Sequence, residues 1–219
     1  VEGQTEETFV KTVLTDYWQN ANIVPEVVIV KTGLTKERKT VKGGTVKYAK
    51  IKKEIQNLLK DSTNDLVTTM FDYCDLTPDF PGYIRKPIKN YLEQALEIEY
   101  AWKADINHPK FLPYLSLHEF EALLFSDIDK IANYFLPLDQ TKLLSLRRIR
   151  NSFASPEQIN QKDKPASRIR KIFIEYNKEV DGSLIALDIS LDVVRQECPH
   201  FNSWLVAIET RCNAKKESS

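Results

Sequence analysis

The sequence predicts an α/β fold: a mostly parallel central sheet flanked by helices, continuing into a mostly helical C-terminal part over about 127–219. Three observations predict it. Short, β-branched apolar runs alternate with runs of helical spacing through the first half of the chain, the order that a parallel sheet with crossover helices requires. Acidic residues stand at the ends of the apolar runs, where open α/β sheets gather their ligands. Beyond about residue 127 the strand-like runs stop and helical spacing takes over.

The opening stretch, Val1-Glu2-Gly3-Gln4-Thr5-Glu6-Glu7, reads as the last step of a strand turning into a helix. Thr5 is placed to cap the first turn, and Glu6 and Glu7 lie where a helix N-terminus favours negative charge. Phe9, Val13, Leu14 and Tyr17 share one face and predict that helix over about 5–20. Val27-Val28-Ile29-Val30 is β-branched and uninterrupted, which predicts a buried strand. Lys42-Gly43-Gly44 leads into a helix over about 46–60, and Leu66 to Phe71 predicts a strand ending on Asp72. A turn-rich stretch from Thr77 to Gly82 precedes a helix over about 88–104. Phe111 to Leu117 then predicts a strand entering His118-Glu119-Phe120-Glu121, with helical spacing at Phe120, Leu123 and Leu124. Further helices are expected over 127–134, 140–151, 167–176, 191–196 and 201–212.

Composition narrows the classes. A chain of 219 residues, 42% hydrophobic and 28% charged, can bury a core as one domain over 1–219. No apolar run approaches the ~20 residues that cross a bilayer, so no membrane partner is expected. Cys74, Cys198 and Cys212 are too few and too scattered for a disulfide framework or a zinc knuckle, which favours a cytoplasmic location. The net charge of zero conceals a basic, acidic, basic layout: ten bases against two acids over 31–60, thirteen acids against six bases over 61–130, and ten bases against three acids over 140–178. Carboxylates around a cation, flanked by bases that hold a polyanion, would produce this layout; so would solvated helix faces.

Glu2, Glu6, Asp72 and Glu119 or Glu121 are acids that such a fold could bring to one sheet edge. Hard divalent cations such as Mg²⁺ or Mn²⁺ take oxygen ligands, and an ion pair about 3.5–4 Å apart can clamp both oxygens of a phosphodiester displacement. Gly3 would let backbone and phosphate approach closely. Each acid also has an ordinary reading: Glu6 as a helix-start residue, Asp72 as the first residue of a turn, Glu119 and Glu121 as solvated helix positions. Lys42 and Lys47, beside Gly43-Gly44, and Arg168, in a basic group with Arg147, Arg148, Arg150, Arg170 and Lys171, are candidate contacts to a nucleic-acid backbone. His118-Glu119 is no zinc-protease motif, because position 122 is Ala where the second His is required. The glycine pair lacks the remaining P-loop residues, so the chain itself is not expected to bind ATP.

"VEGQTEE" resembles the first motif of Toprim domains, in particular that of the overcoming-lysogenisation-defect type of nuclease. "TTMFDY", ending on Asp72, resembles the second motif, and "SLHEFEALLF" resembles the later one in which a glutamate completes the metal site. With "PEQIN", "PASRI", Tyr176-Asn177-Lys178 and "CPHFNSWL", nearly the whole chain is similar to a family of small bacterial proteins known as a domain of unknown function. That resemblance implies a Toprim-like fold and a metal-dependent nuclease, or a derivative of one, working beside a separate ATPase in anti-phage defence. It implies Glu2, Glu6, Asp72 and Glu121 as metal ligands, Glu119 as the alternative to Glu121, and Lys178 as the base offsetting charge on the phosphate. One departure stands out: Asp72-Tyr73-Cys74-Asp75 replaces the usual Asp-x-Asp, leaving Asp75 one step out of register. If Asp75 cannot reach, a second ion binds weakly and a non-catalytic adaptor docking on an ATPase or nucleic acid becomes the alternative. DNA against RNA, and a homo-oligomer against a monomer, stay open.

Overall fold

The computed structural model describes residues 1–30, 47–84, 90–159, 163–178 and 180–216. The first helical stretch begins at α1 (Gln4–Phe9), passes through a π-helical turn over Val10–Leu14 and ends in α2 (Thr15–Trp18). The chain then extends to Val30. The N-terminal ammonium of Val1 donates to Val28 O at 2.9 Å and Val30 N donates to Val1 O at 3.1 Å, the exchange a parallel partner makes around Ile29. The expected strand at 27–30 is thus extended and, among the described residues, paired at one point only. Lys42 and its glycine pair lie outside the described residues.

The elements that follow are α3 (Tyr48–Lys60), β1 (Val67–Thr68), β2 (Phe71–Asp72), α4 (Tyr91–Ile106), β3 (Phe111–Leu112) and β4 (Leu115–Ser116). Asn90 caps α4 by accepting from Glu93 N at 2.8 Å. The C-terminal part is helical: α5 (Ile128–Tyr134), α6 (Gln140–Asn151), α7 (Pro165–Ile172), α8 (Asp181–Asp188), α9 (Leu191–Glu197) and α10 (Pro199–Lys216). Helical turns of all kinds hold 63% of the described residues, and among these the broad central sheet expected from the alternating runs shrinks to short parallel pairs.

Those pairs form one ribbon. β1 pairs with β3 and β2 with β4, and the register is constant throughout: Val67 opposite Phe111, Thr68 opposite Leu112, Phe71 opposite Leu115, Asp72 opposite Ser116. The interruption falls at Thr69-Met70, opposite Pro113-Tyr114. In this register the ladder would continue from Tyr114 N to the Thr69 carbonyl, and that donor turns to the Thr69 side chain instead. The Thr69 hydroxyl bridges the gap, accepting from Tyr114 N at 2.9 Å and donating to Tyr114 O at 3.0 Å. Thr69→Val keeps the shape and strands both buried groups of Tyr114. Urea unfolding of that variant is expected to show a loss of about 1–3 kcal/mol.

Alternation along the ribbon divides its side chains between opposite faces. Val67, Phe71, Tyr73, Phe111, Leu115 and Leu117 enter one core with Ile51 and Ile55 of α3 and Ile98 and Trp102 of α4. Met70 and Tyr114 enter the other, built from Phe9, Phe120, Phe125, Ile169, Phe201 and Leu205. Tyr48 and Tyr73 are buried and donate to Asp105 and Gln94.

Elsewhere the structure departs from the expected elements. "FEALLFS" is a 3₁₀ helix over Phe120–Ser126, and every side chain from Phe120 to Phe125 is buried, so no amphipathic α-helical face exists there. The helix α8 lies outside the helices expected from the sequence. Gly182 has a packing reason: a Cβ there would stand 3.1 Å from the Tyr176 hydroxyl. Among the described residues no helix is long and apolar enough to cross a membrane.

Candidate metal centre

The carboxyl ends of β2 and β4 meet the start of α1, and the acids collect there. Glu2 leaves the extended Val1, and its Oε2 accepts from Asp72 N at 3.4 Å. Asp72 closes β2 and is buried. After it the chain curls into a 3₁₀ turn over Tyr73–Asp75. That turn brings the exposed Asp75 back: carboxylate oxygens of Glu2, Asp72 and Asp75 lie within 4.8 Å of one another. Local winding absorbs the one-step offset, and Asp75, whose reach the sequence left open, joins the cluster.

Glu6 comes from the first turn of α1 and is also buried. Its Oε2 folds back over Gly3, where a Cβ would stand 3.1 Å away. Gly3 therefore makes room for the Glu6 carboxylate. The expected role of that glycine, room for a phosphate, yields to this closer contact.

The strand β4 leads into Glu119 and Glu121. Glu119 is buried and accepts from Ala166 N at 3.2 Å, satisfying a free donor in the first turn of α7. Glu121 is fully buried; the Tyr176 hydroxyl donates to its Oε1 at 3.3 Å. Lys178 Nζ lies 3.1 Å from Glu121 Oε2 and 3.7 Å from Glu119 Oε1. Lys164, at the N-cap of α7, lies 3.5 Å from Glu119 Oε1 and 3.7 Å from Asp75 Oδ1.

Crowding shows in the proton affinities. Burial, with the Asp75 carboxylate next, pushes Glu2 up to about 7. Burial also pushes Glu121 up to about 7, against the pull of Lys178. Asp72 is raised well above the usual carboxylate range, by burial first and then by Glu6, with Lys178 opposing. Burial alone would lower the Lys178 ammonium; Glu121, Asp72 and Glu119 outweigh it and hold it firmly charged.

Glu2, Glu6, Asp72, Glu119, Glu121 and Lys178, all singled out in the sequence, thus come together. The basic residues assigned to nucleic acid do not gather with them in the same way. Lys47 is exposed at the N-cap of α3. Arg168 is engaged within the chain: its Nε donates to Asp163 O at 2.6 Å and its guanidinium lies over the Phe153 ring, 5.3 Å from the centroid. Lys164 and Asp75 were missed as members. Pro165 held the clue to Lys164, since Pro at the first helical position sets the residue before it at the cap, facing whatever α7 points toward.

Ribbon and site together define an α/β protein with carboxylates and lysines gathered at the carboxyl ends of parallel strands. The chain belongs to the family described as a domain of unknown function (DUF4276), whose model matches residues 1–209. No curated protein and no solved structure matches it.

Proposed function

We propose that this protein is a Mg²⁺- or Mn²⁺-dependent nuclease that cleaves phosphodiester bonds in DNA or RNA. The observation that carries the reading is the mutual approach of Glu2, Asp72 and Asp75 beside the Lys178–Glu121 pair. These donors fit a hard divalent cation: all are carboxylate oxygens, and burial and neighbouring carboxylates disfavour the charged forms of Glu2 and Asp72. Glu2, Asp72 and Asp75 would hold the ion, with Glu6 beside them. When bound, such an ion polarises a phosphodiester and activates a water for attack.

The remaining residues act by position and charge. Lys178 holds a positive charge where negative charge develops on the phosphate during displacement. Glu121, fixed by the Tyr176 hydroxyl, orients that ammonium. Glu119, fixed by the N-terminus of α7, ties Lys164 to the same site. The Toprim-like resemblance supports this assignment of roles, and it alone supports the further reading that the protein is the effector of a bacterial anti-phage system with an ATPase partner.

The test incubates the protein with plasmid DNA, single-stranded DNA and tRNA in Mn²⁺, in Mg²⁺ and in EDTA, with Glu2→Gln alongside. Cleavage of at least one substrate that EDTA and Glu2→Gln both abolish is the expected result. No cleavage of any substrate, with or without a candidate ATPase partner, leaves the adaptor reading in its place.

A further inference from the structure

We propose that the ammoniums of Lys164 and Lys178 take the place of a second divalent cation, so that a single ion serves the half of the cluster built from Glu2, Asp72 and Asp75. The inference rests on the metal-dependent reading above and decides how many ions that reading requires.

The cluster divides by its counter-charges. Glu119 and Glu121 face Lys164 and Lys178, so this half is neutralised by the chain itself. The contacts are specific: Glu119 Oε1 is shared by both ammoniums at 3.5 and 3.7 Å, and Glu121 Oε2 has Lys178 at 3.1 Å. Glu121 Oε2 is buried and makes no hydrogen bond of good geometry, which leaves the ammonium as its counter-charge. Glu2 and Asp72 make no ion pair among the described residues, and Asp75 alone reaches across to Lys164, at 3.7 Å. The uncompensated negative charge therefore sits on the Glu2–Asp72–Asp75 side.

Both lysines are held by the fold. Lys164 projects from the cap of α7, whose own backbone is anchored on Glu119. Lys178 keeps only 31% of its side chain exposed. A second ion would have to displace ammoniums from the carboxylate oxygens they occupy while standing beside their charge. In a two-ion phosphodiester displacement the second ion offsets charge on an oxygen, and a fixed ammonium can supply that term without a hydration shell.

Mn²⁺ binding, counted by calorimetry and by the loss of the free-ion EPR signal, tests this without reference to turnover. The wild-type chain is expected to bind a single Mn²⁺. Lys164→Met/Lys178→Met, which leaves Glu119 and Glu121 unpaired, is expected to bind a second. Glu119→Gln/Glu121→Gln keeps an oxygen acceptor beside each ammonium while removing both carboxylate charges; it is expected to keep the single ion, whereas Asp75→Asn weakens it more than about tenfold. Two ions of comparable affinity in the wild type, or loss of an ion in the Gln/Gln variant, overturns the inference and leaves the metal-dependent reading intact. No Mn²⁺ bound by the wild type overturns both.

Discussion

Asp72→Asn is expected to abolish metal-dependent cleavage, a loss of about 10³-fold or more, while making the protein more stable. The opposing signs share one cause. Asp72 is buried at the end of β2, and burial, Glu6, Glu2 and Glu121 all disfavour its negative charge. Without a cation that charge is a cost to the fold, which only the binding of a positive ion turns into a use. Asn keeps the shape and removes the charge. The metal-free variant should melt higher by a few degrees, corresponding to about 1 kcal/mol for a domain of this size. Calorimetric melting in EDTA beside a cleavage assay in Mn²⁺ reads both effects. If the variant melts lower, the charge is stabilising, the buried carboxylate is structural, and the metal-dependent reading loses its energetic support.

The stability of the metal-free protein is expected to fall as pH rises, and added Mg²⁺ or Mn²⁺ to reverse the trend. Glu2 and Glu121 are each pushed up to about 7 in the fold, against 4.5 for an ordinary glutamate. Between those values the folded chain binds more protons than the unfolded one, so stability falls as pH climbs through the window and levels off above about 7. The total is on the order of a few kcal/mol. His200, raised overall by its Glu99 partner although burial opposes this, adds to the fall as pH passes through its own folded value. His118 works the other way. Burial, then Lys164, lowers it to about 4, so its contribution grows with pH up to about 6.5. The carboxylate term is therefore clearest just above that point. Melting curves at pH 6.5, 7 and 8, with EDTA and with Mn²⁺, should converge at the acid end and separate at the alkaline end, because the cation binds deprotonated ligands. A metal shift that is largest at pH 6.5 would contradict the assigned cause.

Much of the site was legible before the structure. Glu2 and Asp72 each end an apolar run, and Glu6 lies one helical turn beyond a glycine, positions at which local patterning and topology agree on the same sheet edge. Residues set by non-local winding were not legible. Asp75 enters through a 3₁₀ turn, which tightens the spacing that Asp-x-Asp would have provided. Lys164 arrives from α7, far along the chain, and the helix α8 behind Tyr176 was hidden by a Gly-Ser start whose purpose is close packing. The sheet was overestimated for a related reason: runs of β-branched residues mark packing as much as pairing, and the chain packs 27–30 as a partly buried extended segment and pairs 67–72 with 111–116 only in two short stretches, without building wide ladders.

By itself the sequence determined where charge and apolar surface alternate: which segments are apolar, which acids end them, and roughly where helices such as α4 and α6 run. Those outcomes depend on neighbours a few positions away, whose geometry the backbone repeats dictate. Only the tertiary structure decided which acids share a space and which are paired with lysines. Coulomb interaction depends on distance through space and on exclusion of water, and both were set when the ribbon, α1 and α7 packed together.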